Sequence, residues 1–293
     1  MYVVAGASGQ VGCATARALI QAGRPIRAMV VSEAERSEWL DARQEAVAVD
    51  FYRKDSIVAP LTDVTAVFLM IPPNYDAQAD YAEARQIIDS FAHAIRICRP
   101  HRVICLSSIG AHRTHGLGII QQSRILEDEL GSMDLPISFV RPAWFMENAA
   151  WQLPLADRDG AFESFLWPLE RRIPMTATAD IGNTIADLMM SDTSNERRVV
   201  EIEGPQGYSP LDVAREMSNL LGRAVEAKPV PRENWHLKLA QEGSANPSER
   251  MAMLDGFNSG WIDFEGPPCE KRTGSTPLTD VLAHLIHRYR TSI

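Results

Sequence analysis

Three glycines spaced three residues apart follow directly on Val3–Ala5, an apolar run that predicts a strand at the start of this chain. In such a turn the first glycine permits the tight bend, and the second lets backbone N–H groups approach a pyrophosphate. The third allows the following helix to pack closely on the strand, and the N-terminus of that helix adds a partial positive charge. A merely structural turn is the alternative interpretation. The strand–turn–helix context favours a dinucleotide-binding loop, which consists of Gly6, Ala7, Ser8, Gly9, Gln10, Val11 and Gly12.

The first half of the chain alternates short apolar runs with amphipathic helical stretches. Strands that are separated by helical crossovers need a parallel sheet that is covered on both faces. The predicted fold class is therefore α/β, with a doubly wound, mostly parallel Rossmann sheet. The strands predicted for this half are Val3–Ala5, Ile26–Val31, Ala46–Asp50, Thr65–Ile71, Arg102–Ser107 and Ile137–Arg141.

The second half keeps this alternation less strictly, which predicts a different organisation. We expect a Rossmann domain over residues 1–150, to which later segments can return. Residues 151–293 are expected to form a smaller α+β substrate or partner portion, with a cleft where the two halves meet. Within it, Ser209 and Pro210 are typical of a helix start, and Gly222 is typical of a helix end.

Charge and composition exclude several classes of partner. Acidic residues outnumber lysines and arginines by 38 to 29, so a direct nucleic-acid partner is not expected. The longest apolar run, Val64–Pro73, is far shorter than the ~20 residues that cross a bilayer, so a membrane partner is not expected either. The cysteines are scattered without metal-ligand spacing, and no signal sequence precedes the first strand. We therefore expect a cytoplasmic protein without a metal site.

Several segments that follow predicted strands sharpen the interpretation. Together with the G-x-x-G-x-x-G turn, the segments Val67–Pro73, Val103–Ala111, Arg141–Asn148 and Glu203–Pro205 resemble the NmrA-like family of atypical short-chain dehydrogenases/reductases. The resemblance covers nearly the whole chain, and its most specific part is Arg141–Asn148. It implies an NAD(P)-binding Rossmann domain and a smaller C-terminal portion that closes a substrate cleft. Such families include quinone and aromatic-ether reductases, and also regulators that bind the cofactor without turning it over.

The choice between NAD and NADP depends on the residues after the second strand. A cation there binds a 2′-phosphate, whereas a carboxylate binds two ribose hydroxyls and repels phosphate. Ser32 and Arg36 favour phosphate and Glu33 opposes it, so the cofactor is predicted only as NAD(P). Asp50 is a candidate for adenine, although Arg36 and Asp50 are also typical solvated side chains. The remaining predicted cofactor contacts, at the ends of the fourth and fifth strands, are Ile71, Pro72 and Ser107.

The catalytic residues stay unassigned, because the usual proton-relay pair is absent. Ordinary short-chain dehydrogenases place a tyrosine four residues before a lysine, and the ammonium group lowers the pKa of the phenol. None of the four lysines here follows a tyrosine at that spacing, and Ser123 stands where relatives often have the lysine. Arg124 and Ser108 are candidates for a catalytic role. For Arg124, an ion pair with Glu127 or Asp128 is the alternative.

Two functions are compatible with this pattern. The first is an NAD(P)H-dependent oxidoreductase that reduces a planar, electron-poor acceptor such as a quinone, which spreads negative charge and takes its proton from water. The second is a non-catalytic, NAD(P)-binding redox sensor that acts through a regulatory protein partner. The partner is therefore a small-molecule acceptor or a protein, and the oligomeric state is not predicted. The residues predicted to line the substrate cleft are Trp144, Phe145, Met146 and Asn148.

Overall fold

The computed structural model describes residues 1–191 and 197–291. The strands in these ranges are β1 (Tyr2–Ala5), β2 (Ile26–Val30), β3 (Glu45–Ala48), β4 (Ala66–Leu69), β5 (Arg102–Leu106), β6 (Ile137–Pro142), β7 (Trp144–Phe145), β8 (Ala161–Ser164), β9 (Ile173–Thr176), β10 (Arg198–Glu203), β11 (Gly207–Tyr208), β12 (Glu226–Pro229) and β13 (Glu270–Thr273). The α-helices are α1 (Gln10–Gln21), α2 (Glu33–Asp41), α3 (Lys54–Val58), α4 (Ala82–Cys98), α5 (Gln121–Leu130), α6 (Leu153–Asp159), α7 (Thr178–Met190), α8 (Pro210–Leu221), α9 (Trp235–Gln241), α10 (Ser248–Ser259) and α11 (Leu278–Thr291).

Eight strands form the central sheet in the order β13-β10-β6-β5-β4-β1-β2-β3, and every neighbouring pair is parallel. Parallel neighbours require crossover connections, which helices supply here. The strand order reverses between β1 and β4. At such a switch point the loops after the two strands diverge and open a crevice at the carboxyl edge of the sheet. The predicted doubly wound α/β fold is confirmed.

Alternate strand residues contribute to the cores on opposite faces of this sheet. In β4, Val67 and Leu69 pack in the same core as Phe91 of α4, whereas Phe68 packs with Ile181 of α7 on the other face. Helices α3, α4 and α5 cover the first face, and α1 and α7 cover the second. Both faces are buried, which is why these strands read as nearly continuous apolar runs.

The second half of the chain contributes both to the central sheet and to a separate layer. Strands β10 and β13 extend the central sheet beyond β6. The other strands form a three-stranded sheet of β11, β9 and β7 and a parallel pair of β12 and β8, which share a further apolar core. A domain boundary near residue 150 stays a prediction. Within the described ranges, no helix is long and apolar enough to span a bilayer.

The end of β4, at the carboxyl edge, differs from the sequence-based expectation. Strand β4 ends at Leu69, so Ile71 and Pro72 lie in the loop that follows the strand. Pro72 and Pro73 have no backbone N–H group and cannot extend the ladder. Helix α4 begins only at Ala82, and residues 70–81 therefore form a long loop over the carboxyl edge.

Candidate functional site

The glycine turn is tightly closed by its own backbone. Gly6 has a φ of +61°, a conformation that costs glycine little, and its carbonyl oxygen accepts the N–H of Gly9 at 2.8 Å. A Cβ atom on Gly12 would lie only 2.1 Å from that same oxygen. The first glycine therefore has a backbone conformation that disfavours a side chain, and the third has no room for one.

The N-terminus of α1 has the properties of an anion site. Gly9 is the N-cap and no side chain caps the helix, and the first turn carries no acidic residue. The first N–H groups of a helix have no partner inside the helix, and they carry part of its positive dipole. Gln10, which opens α1, is exposed. The turn and the uncapped helix together fit the diphosphate of a dinucleotide.

The N-terminus of α2 is different, because the chain itself caps it. Ser32, one of the predicted cofactor residues, is the N-cap, and its Oγ accepts the N–H of Glu35 at 3.2 Å. The Glu35 carboxylate in turn accepts the N–H of Val31 at 3.0 Å. The Ser32 oxygen therefore accepts a hydrogen bond within the helix, and a carboxylate lies at the end of β2.

The other two predicted cofactor residues on this side also have partners in the chain. Arg36 Nη1 lies 2.9 Å from Glu33 Oε2, and its Nε donates to the carbonyl oxygen of Ala46 at 3.3 Å. Asp50 is exposed, and its Oδ1 accepts the N–H of Tyr52 at 2.9 Å. Asp50 thus keeps a second oxygen for a ligand, whereas Arg36 is directed to its own helix and to β3.

A cavity of about 720 Å³ lies at the carboxyl ends of β4, β5 and β6. The glycine turn lies near it: a Cβ atom on Gly6 would lie 3.0 Å from the sulfur of Met70, and the next residue, Ile71, lines the cavity. Such an edge position is where doubly wound sheets bind their ligands. The predicted residues that line this cavity are Ile71, Pro72, Ser107, Ser108, Trp144, Phe145, Met146 and Asn148.

Aromatic side chains form much of the cavity wall. Trp144 meets Phe257 of α10 edge to face, with ring centroids 5.1 Å apart. A second pair, Tyr75 and Trp151, has the same arrangement at 5.6 Å. The Arg250 guanidinium carbon lies 5.6 Å and 5.7 Å from these two ring centroids. Flat faces and edges of this kind suit a planar aromatic ligand.

The charged side chains that line the cavity are paired. Arg250 Nη1 lies 3.3 Å from Glu242 Oε2, and Glu163 Oε1 lies 2.7 Å from Nζ of Lys238, which stands outside the lining. Among the described lining residues, no lysine is present. Burial raises the pKa of the Tyr75 phenol, and Arg250 offsets part of this effect. The phenol therefore keeps its proton at neutral pH.

Ser107 belongs to a buried polar cluster behind the cavity. Its hydroxyl donates to Glu127, whose two carboxylate oxygens accept from Nε and Nη2 of Arg141 at 2.8 Å and 2.7 Å. The remaining Arg141 nitrogen donates to Glu265 at 2.6 Å. This hydrogen bond holds the pKa of Glu265 below its ordinary value. The cluster fixes the carboxyl ends of β5 and β6 against each other.

Of the two catalytic candidates, only Ser108 reaches the cavity. Arg124 donates from Nη1 to the carbonyl oxygens of His112 and Arg113, at 3.1 Å and 2.9 Å. Its Nε lies 3.4 Å from Asp128, the ion pair that the sequence offered as an alternative. Arg124 is not among the described residues that line the cavity. Arg124 thus contacts the loop after β5 and Asp128, and a catalytic role for it stays a prediction.

Sequence reasoning did not single out Tyr75 or Arg250, or place Trp151 in the cleft. Tyr75 follows β4 by six residues, so its position in a loop at the carboxyl edge was an available signal. Trp151 and Arg250 carry no such signal. They reach the cavity from a short 3₁₀ segment, Met146–Gln152, and from α10, which only the tertiary fold brings together.

Known proteins are similar to this chain over most of its length. The chain is 24% identical over 260 residues to an NAD(P)H azoreductase from Xenophilus azovorans, covering 88% of this chain and 85% of that protein. The structure matches that of Citrobacter sp. triphenylmethane reductase complexed with NADP(H) at a TM-score of 0.78 and 16% identity, covering 97% and 99% of the two chains. It also matches the structure of an NADPH-dependent quinone oxidoreductase from Escherichia coli complexed with NADPH. The TM-score is 0.78 and the identity 18%, and the match covers 98% of this chain and 100% of that chain.

At these identities the two structural matches establish the fold alone. Membership of a family comes from the sequence, because the model of the NmrA-like family matches residues 2–256. The matched range includes the glycine turn, the whole of α2 and nearly all of the described residues that line the cavity. The chain belongs to the NmrA-like family.

Proposed function

We propose that this chain is an NAD(P)H-dependent reductase of planar, electron-poor acceptors such as quinones. One observation carries the proposal: an uncapped helix N-terminus with a tight glycine turn lies near a cavity of about 720 Å³ with aromatic walls. The names of the azoreductase and of the quinone oxidoreductase support it, since both denote reduction by a nicotinamide cofactor.

The residues of the first turn would hold the cofactor's diphosphate. The backbone N–H groups of Gln10, Val11 and Gly12 are available for this purpose, because no side chain caps α1. Asp50 is proposed for adenine, and Ile71, Pro72 and Ser107 for further contacts with the cofactor. When bound, the nicotinamide supplies the hydride. The chain's own contribution is to bind and to orient the cofactor and the acceptor.

The cavity suits acceptors that need little help with proton transfer. Two-electron reduction of a quinone takes one hydride and one proton, and the negative charge spreads over the ring before the proton arrives. Tyr75 and Trp151 at the cavity are 38% and 56% exposed, so water reaches the ligand there. A simple ketone needs its proton as charge develops, and lack of a positioned acid slows such reactions by about 10²–10⁴-fold.

The test is anaerobic stopped-flow oxidation of NADH and NADPH with 1,4-naphthoquinone, and with acetophenone as a matched carbonyl substrate. We expect one cofactor oxidised per quinone and no measurable turnover of acetophenone. The isosteric variants Ser108→Ala and Tyr75→Phe are expected to keep quinone turnover within about threefold of wild type.

Two outcomes would contradict the proposal in different ways. A 100-fold loss in either variant would mean that the cavity supplies a positioned proton donor. Tight cofactor binding without turnover of any quinone or azo acceptor would favour the non-catalytic, partner-dependent function instead.

A further inference from the structure

We infer that this chain binds NADH in preference to NADPH, and that the acidic first turn of α2 determines the preference. The inference rests on the proposed function, since it requires a pyridine nucleotide at the glycine turn. It concerns a different part of the molecule, the residues Val31–Arg36 after β2.

The fold places these residues beside the glycine turn. Strands β1 and β2 are parallel neighbours with Ala5 opposite Met29, and the N–H of Ala7 donates to the Met29 carbonyl oxygen at 3.3 Å. Val31 follows two residues later and is 61% exposed. In dinucleotide-binding sheets the adenosine ribose lies at the end of this second strand. The segment Val31–Arg36 therefore faces the hydroxyl that carries the extra phosphate in NADPH.

Two of the N–H donors that could bind a phosphate there, those of Val31 and Glu35, are already engaged. Ser32 Oγ accepts the N–H of Glu35, and Glu35 Oε2 accepts the N–H of Val31. The N-terminus of α2 would otherwise attract an anion, but the Ser32 cap satisfies one of its first N–H groups and a carboxylate lies beside it. The two contacts also hold the Glu35 carboxylate at the end of β2 rather than leaving it free in solvent.

The charge of the segment opposes phosphate as well. Glu33 and Glu35 are both in the first turn of α2, and Arg36 is paired with Glu33. With one arginine against two glutamates, the segment has a formal charge of −1. A phosphate monoester adds about −1.5 to −2 at neutral pH, so NADPH meets repulsion that NADH does not. The ribose hydroxyls of NADH can instead donate to a carboxylate.

Isothermal titration calorimetry with NADH and with NADPH tests the inference directly, on the full chain and without an acceptor. We expect NADH to bind at least tenfold more tightly. In Glu35→Gln the amide oxygen still accepts the Val31 N–H, so the cap is kept while the charge is lost. This variant is expected to narrow the ratio to less than threefold, through tighter binding of NADPH and weaker binding of NADH.

Glu38→Gln is the matched control, because Glu38 is exposed on the same helix and lies outside the first turn. The same loss of charge there is expected to change either affinity by less than twofold. Salt at 0.5 M is expected to reduce the difference between NADH and NADPH in wild type, since it screens an exposed carboxylate.

The results separate this inference from the proposed function. If NADPH binds as tightly as NADH or more tightly, the inference is overturned. If the chain still reduces quinones in that case, the proposed reductase function stands. An equal effect of Glu35→Gln on both nucleotides also overturns it. Binding of neither nucleotide to the folded chain contradicts both.

Discussion

Helices α1 and α2 follow neighbouring parallel strands, yet their N-termini are built in opposite ways. Helix α1 has a glycine N-cap, no side-chain cap and no acidic residue in its first turn. Helix α2 has a serine cap and two glutamates there. The comparison teaches that a helix dipole alone does not make an anion site. The sequence must also leave the first N–H groups unpartnered and free of acidic neighbours.

The largest effect is expected from adding a side chain at the third glycine of the turn before α1. In Gly12→Ala the new methyl group would lie 2.1 Å from the Gly6 carbonyl oxygen, so the backbone must move. We expect NADH affinity to fall at least 100-fold by calorimetry. Arg17→Ala, an exposed position on the same helix, is the control and should bind as wild type does. Unchanged affinity in Gly12→Ala would remove the steric argument for this turn.

A smaller effect is expected from giving α1 the acidic first turn of α2. Gln10→Glu is nearly isosteric and exposed, and the added charge should stabilise α1 by about 0.3–1 kcal/mol through the helix dipole. The same charge should weaken NADH binding roughly tenfold, because it competes with the diphosphate. Thermal unfolding and calorimetry measure the two effects together.

Gln21→Glu places an equal charge at the other end of α1 and serves as the control. It should leave NADH affinity within about twofold. If Gln10→Glu and Gln21→Glu weaken binding equally, the local charge at the N-terminus is not what matters.

Removing the cap of α2 should affect stability rather than binding. In Ser32→Ala the N–H of Glu35 loses its acceptor, which typically costs about 1 kcal/mol of the free energy of unfolding. Urea denaturation measures this loss, and NADH affinity is expected to change by less than threefold. A strong loss of NADH binding would instead make Ser32 a ligand-binding residue, as the sequence suggested.

The smallest effect is expected for Glu33→Gln. Glu33 is exposed and paired with Arg36, and exposed ion pairs contribute about 0–1 kcal/mol. Neutralising it frees Arg36 and should improve NADPH affinity about two- to threefold, less than Glu35→Gln does. If Glu33→Gln improves NADPH affinity more than Glu35→Gln does, the Glu33–Arg36 ion pair, and not the Glu35 carboxylate, determines the cofactor preference.

The features that the sequence predicted are those with local causes. The glycine spacing after Val3–Ala5 and the short apolar runs of the first half are local patterns, and they predicted the Rossmann sheet. Strand β13 has no such pattern: Glu270–Thr273 is a charged segment that can be a strand because it lies at the edge of the sheet, against β10 alone.

The candidate site divides in the same way. Trp144, Phe145, Met146 and Asn148 lie in one segment after β6, so a sequence motif identifies them together. Arg250 comes from α10, more than 100 residues later, and its place beside Tyr75 and Trp151 depends on tertiary packing. The hydrogen-bond and ion-pair partners of Ser32 and Arg36 within the chain also depend on the folded conformation. A sequence lists both as possible phosphate ligands but does not show which atoms their side chains contact.

Calorimetric titration of the wild-type chain with NADH tests the central claim most directly. An uncapped α1 behind a closed glycine turn predicts saturable binding of one NADH per chain, with a dissociation constant in the micromolar range. Absence of binding at millimolar NADH, with the chain shown to be folded by circular dichroism, would contradict it.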